Sequence, residues 1–115
     1  MLKGRSVTKE QKKFHDNLCR YVGCPACWLE GRFNDYVSVH HINGRTKPDA
    51  HFLVLALCAN HHQLGNGCEA IHINKARFIK QYGAEMDLYK MSIEILLDKN
   101  IEIPNRVIAI LSEIE

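Results

Sequence analysis

The spacing of apolar positions predicts helices toward both ends of the chain and one β-hairpin between them. Segment 8–19, TKEQKKFHDNLC, reads as a helix; Thr8 is placed to cap it, and Gln11, three residues later, completes a capping box. GCPAC at 23–27 reads as a tight turn. Residues 36–42, YVSVHHI, alternate with Tyr36, Ser38 and His40 on one face and Val37, Val39 and His41 on the other, the pattern of a strand. FLVLAL at 52–57 is a second strand, and the nine residues 43–51 between them carry turn chemistry at Asn43-Gly44 and a stop at Pro48.

From Cys58 a helix is expected to start and to be interrupted at Gly65 and Gly67. His72 to Tyr82 reads as helical, with Gly83 at the C-cap position. Met86, Tyr89, Ile93, Leu96 and Leu97 recur at helical spacing over 84–98, an amphipathic helix for the core. Pro104 suits the first turn of a last helix, 105–114, with Val107, Ile108, Ile110 and Leu111 on its apolar side. Strands confined to one hairpin, with helices elsewhere, give an α+β fold. At 115 residues the expectation is one domain: a basic N-terminal helix over 1–20, a core over 21–83 and C-terminal helices over 84–115.

Composition narrows the class. Hydrophobic residues are 46% and charged residues 24%, ordinary for a folded protein and too apolar for disorder. The longest apolar run, 52–58, is far short of the roughly 20 residues of a membrane helix. MLKGRSVTKEQKK has no apolar segment behind its basic residues, so no secretory signal is expected, and the location is expected to be cytoplasmic. The net charge of +2 hides a gradient: residues 1–20 hold six Lys/Arg against two acids, and residues 85–115 hold three against seven. The basic front can meet a polyanion or be a solvated helix face.

Five Cys and seven His change the picture further. In a reducing compartment they point to metal before disulfides. Cys24-Pro25-Ala26-Cys27 is a CxxC and Cys58-Ala59-Asn60-His61 a CxxH. Two residues between ligands let one tight turn aim both at one ion, and two such turns supply the tetrahedron that structural Zn²⁺ prefers. The 30 residues between Cys27 and Cys58 are the hairpin that must bring the turns together. Cys19 and Cys68 have no partner at metal spacing and are expected as core or free thiols.

Six His remain. His40 and His41, adjacent on a strand, point to opposite faces. His62 follows the zinc-type ligand His61, and helical neighbours diverge by about 100°, so His62 can turn toward the hairpin. A second centre can then form from a strand His and His62, completed by His72 if the Gly65–Gly67 segment folds back. His15 is expected as a surface or hydrogen-bonded residue.

CPAC at 24–27, VHHING at 39–44 and LCANHH at 57–62 resemble the zinc-bearing ββα-metal (HNH, His-Me finger) endonucleases. The longer stretch GRFNDYVSVHHINGRTKPDAHFLVLALCANHHQLGNG, with IHINKARFIKQYG after it, resembles the phage-type recombination enhancement nucleases known as Ref, which act with RecA. The resemblance covers roughly residues 19–98 and implies a ββα-metal core and metal-dependent DNA cleavage in a bacterial host cell. Position by position it implies His41 as the general base and His40, His62 and His72 as ligands of a catalytic divalent cation, Mg²⁺, Mn²⁺ or Zn²⁺. The family's Asn has no direct counterpart; His51 or Asn43 takes its role. Arg45 and Lys47, directly after the His doublet, are placed to grip backbone phosphates or are ordinary solvated charges. A zinc-stabilised module that binds DNA or a protein filament without cutting is the alternative.

Overall fold

The computed structural model describes residues 6–64 and 70–114. Thr8 caps helix α1, Lys9–Asn17: its side chain accepts from the Gln11 amide while the Gln11 side chain accepts from the Thr8 amide, the expected capping box. The helix does not stop at residue 19. It continues as a π-helical segment, Leu18–Val22, that ends at Gly23. Gly23 has φ +66°, and a Cβ there would lie 2.2 Å from the Asn34 carbonyl oxygen, so only glycine fits this turn.

CPAC is more than a turn. Cys24 is the N-cap of a short helix α2, Pro25–Leu29, with Pro25 at its first position. The chain then enters β1, Val37–His41, and β2, Val54–Cys58, which pair antiparallel with Val37 opposite Cys58 and His41 opposite Val54. Both strands are shifted slightly from the sequence boundaries: Tyr36 is 86% exposed and outside the ladder, and Phe52 and Leu53 belong to the turn before β2. All five β2 residues are buried because α2 and α4, Glu85–Asp98, pack against that strand.

After β2 comes a second π-helical segment, Asn60–Leu64, where an ordinary helix was expected. The expected interruption at Gly65 and Gly67, and Cys68, lie outside the described residues. Beyond them the chain returns onto the segment it left: the Ile71 amide donates to the His61 carbonyl at 2.9 Å and the His72 amide to the His62 carbonyl at 3.1 Å. His72 is therefore in a turn and not in the helix predicted from 72. Helix α3 runs Lys75–Tyr82, capped by the Asn74 side chain and ended by Gly83. Helix α5, Asn105–Ile114, follows Pro104 as expected. Leu97 and Ile108, assigned to apolar faces, are 55% and 50% exposed.

Leu55, Leu57, Phe78, Leu88, Tyr89, Ile93, Leu96 and Val107 are among the fully buried side chains. Each aliphatic or Phe side chain of this kind contributes roughly 1.5–3 kcal/mol through burial. Leu55 and Leu57 of β2 and Leu88, Tyr89, Ile93 and Leu96 of α4 belong to one core cluster that packs this helix against the strand. The described residues thus form an α+β fold with one two-stranded antiparallel sheet. Among them no helix is long and apolar enough to cross a membrane.

Candidate metal centres and active site

Cys24 at the N-cap of α2, Cys27 within it, Cys58 from the end of β2 and His61 from the following segment converge, their ligand atoms all within 4.8 Å of one another. His61 Nδ1 faces the three sulfurs at 3.0 Å (Cys58), 3.4 Å (Cys24) and 3.5 Å (Cys27), and the Cys27 and Cys58 sulfurs are 3.7 Å apart. A tetrahedral ion with metal–sulfur bonds of about 2.3 Å has sulfur–sulfur edges of about 3.8 Å. The donor spacing fits such an ion.

Charge points the same way. Burial pushes the Cys24 thiol up to about 12 and raises Cys27 as well, so thiolates here need a cation among them. Outer contacts orient the set. With His61 Nδ1 turned to the sulfurs, Nε2–H donates to the Tyr82 hydroxyl at 3.0 Å, and that hydroxyl donates to Glu30 at 2.6 Å. Asn34 Nδ2 lies 3.8 Å from the Cys27 sulfur. Cys19 is half-buried and a free thiol.

The second group includes the next residue, His62. His40 and His62 are buried, each 8% exposed, and His72 is exposed; one ring nitrogen from each lies within 4.8 Å of the others. Ring centroids are 5.2 Å apart for His40–His62, 5.1 Å for His40–His72 and 4.6 Å for His62–His72. His62 does diverge from His61 toward the hairpin, where its Nδ1 meets Ser38 Oγ at 2.8 Å. His72 is brought in by the backbone bonds of Ile71 and His72 to the two preceding histidines. Burial, followed by the charges of His40 and His72, pushes His62 down to about 4, which keeps it neutral as a metal ligand must be. Three imidazoles whose ring nitrogens converge in this way fit a divalent cation.

His41 points to the opposite face of β1 from His40. Its Nε2 is 3.0 Å from Nδ1 of His51, which is 4% exposed at the end of the loop, whereas Asn43 is exposed at the turn. His15 of α1 bonds through Nε2 to the His51 carbonyl at 2.6 Å, so it is the hydrogen-bonded residue expected. Burial, then Arg45 and the imidazoles of His51, His15 and His40, pushes His41 down to about 4. A cavity of about 260 Å³ is lined by Val39, His40, His41, Gly44, Arg45, His62 and His72, so residues of both β1 faces reach one opening. Lys47 is exposed in the same loop, outside that lining.

Sequence reasoning missed Glu85. Its Oε2 lies 2.7 Å from His40 Nε2 and its Oε1 2.9 Å from Lys75 Nζ. An acid in the first turn of a helix reads as a partner of the helix dipole, and nothing local in sequence pairs it with a histidine 45 residues earlier.

A two-stranded antiparallel hairpin followed by a helical segment, with a Cys/His group arranged for a metal ion at their junction, is a ββα-metal-like core. Residues 7–97 match the family model described as recombination enhancement, RecA-dependent nuclease, and the chain belongs to that family. The match takes in both Cys/His groups, His41 and His51, while α5 lies beyond it.

Proposed function

We propose that this chain is a metal-dependent DNA endonuclease of the HNH type that acts in recombination on DNA carrying RecA. The observation that carries this reading is the shared cavity of about 260 Å³ in which His40, His41, His62, His72 and Arg45 meet. A solely structural zinc module has no use for those four imidazoles beside a complete Cys/His tetrad.

Cys24, Cys27, Cys58 and His61 would hold Zn²⁺ and pin β2 and its following segment to α2. His40, His62 and His72 would hold the catalytic cation, Mg²⁺, Mn²⁺ or Zn²⁺. When bound, that cation polarises the phosphate and stabilises the charge on the departing 3′-oxygen. His41 is the general base. In the tautomer that this role requires, its Nε2–H donates to His51 Nδ1, 3.0 Å away, and its own Nδ1 keeps a lone pair for the water proton. The water oxygen then bonds to phosphorus as the bond to the 3′-oxygen breaks, that oxygen takes a proton from solvent, and the ends are 5′-phosphate and 3′-hydroxyl. His51, and not Asn43, orients the base, and His15 in turn holds the His51 backbone. Arg45 at the cavity and Lys47 beside it bind neighbouring phosphates. In this reading residues 1–115 are one nuclease domain: the N-terminal helix, the zinc and ββα core to residue 83, and the C-terminal helices.

The test is to incubate purified protein with single- and double-stranded DNA, with and without Mg²⁺ or Mn²⁺, and with and without RecA filaments. Cleavage that needs the divalent cation and is raised by RecA is the expected result. DNA or filament binding without cutting in any arm overturns it in favour of a binding module.

A further inference from the structure

The geometry points to Glu85 as a positioning residue for the three-histidine group: its carboxylate accepts from His40 Nε2–H, fixing the ring's tautomer and orientation so that Nδ1 is offered to a divalent cation. This rests on the reading of His40, His62 and His72 as ligands of that cation.

Glu85 is 8% exposed, and both of its oxygens are engaged, Oε2 by His40 at 2.7 Å and Oε1 by Lys75 at 2.9 Å. A buried carboxylate is stable only when bonded in this way. The core packing of α4 against β2 sets its position, because Leu88, Tyr89 and Ser92, which follow it on the helix, are themselves buried. Both other buried imidazoles of the two Cys/His groups show a matching division of labour. His62 gives Nδ1 to Ser38 Oγ, and His61 gives Nε2 to Tyr82 and Glu30. Within the three-histidine group, Glu85 contributes a full negative charge. A carboxylate on the outer nitrogen removes the ring's rotational freedom and raises the basicity of the nitrogen that binds metal. Lys75, with 60% of its side chain exposed, pairs with the second oxygen from the solvent side.

The test is a titration of the zinc-loaded full chain with Co²⁺, followed by its d–d absorption, with thiolate charge-transfer bands reporting any exchange at the cysteine group. Glu85→Ala is expected to weaken Co²⁺ binding by about 10–100-fold. Glu85→Gln keeps an acceptor oxygen without the charge and is expected to fall between Ala and wild type. Lys75→Met is expected to leave the affinity at wild-type strength or tighter. An ion pair that merely ties α4 to β1 predicts otherwise: all three variants lower the melting temperature and none moves Co²⁺ affinity. Co²⁺ affinity within about twofold of wild type in either folded Glu85 variant overturns the inference; should Glu85→Ala not fold, Glu85→Gln decides alone. A wild-type chain that takes up no Co²⁺ outside the cysteine group overturns the metal-ligand reading itself, a result distinct from wild-type binding unchanged in Glu85→Gln.

Discussion

His41 and His51 face each other across the hairpin loop, Nε2 to Nδ1 at 3.0 Å, with the His51 carbonyl bonded in turn to His15. Two rings so joined couple their tautomers and orientations, and a base whose lone pair is aimed loses rate when it is released. His51→Ala is expected to slow cleavage on the order of 10²-fold, as a misplaced reacting group does, while metal content stays at the wild-type value. Single-turnover cleavage beside metal analysis checks it. An unchanged rate would mean that His51 only packs the loop.

The low pKa of His41 has a direct pH consequence. Burial first, then Arg45 and the neighbouring imidazoles, hold it at about 4 against an ordinary 6.5. The folded chain therefore binds fewer protons than the unfolded chain between these values, so this group's contribution to stability is full above pH 6.5 and is lost as pH falls toward 4. The base also stays neutral in mild acid. Cleavage at pH 5.5 is expected to proceed without the loss that an ordinary imidazole would impose. Arg45→Ala removes a cation, raises the His41 pKa and moves the acid limb to higher pH. A rate profile centred on the ordinary value in both proteins would contradict the electrostatics of this cavity.

Arg45 and Lys47 should reveal themselves through salt. Each phosphate neutralised contributes about one unit to the slope of log affinity against log salt. Arg45→Ala and Lys47→Ala are each expected to reduce that slope by about 1 and to weaken binding similarly on unrelated DNA sequences. Binding isotherms at several salt concentrations give the slope, and an unaltered slope marks the residue as ordinary surface charge.

Cys27→Ser is expected to lose one zinc equivalent and most of the cooperative melting transition. The Cys27 sulfur lies 3.7 Å from that of Cys58, and the four ligands join α2, β2 and the segment after it. A domain of this size has limited apolar area, so the ion's binding energy becomes folding energy. Metal analysis and calorimetry check this; a wild-type melting curve would show that the tetrad is not a structural centre.

What could be read from sequence was local. Thr8 and Gln11 stand three residues apart and form their capping box; the 36–42 alternation correctly put Ser38 and His40 on the face opposite His41. CxxC and CxxH announced the tetrad because each pair is set by one turn. The same locality hid the rest. Glu85 reaches His40 across 45 residues, and the Tyr82 hydroxyl reaches Glu30 across 52, through packing of α3 and α4 that no short window contains. The helix predicted from His72 starts at Lys75 instead, because residues 70–74 form a turn, with the amides of 71 and 72 bonded to His61 and His62 and those of 73 and 74 to Ala70, and Asn74 caps the helix that follows. That turn is what carries His72 to His40 and His62.

The most direct measurement compares DNA cleavage by wild type and His41→Ala at matched metal content, with divalent cation and RecA filaments present. His41 belongs to neither ligand group, so its replacement is expected to leave both groups in place. Loss of about 100-fold or more in rate, with zinc content and melting temperature unchanged, is the expected result. Wild-type cleavage by the variant would contradict the assignment of this cavity as a hydrolytic site.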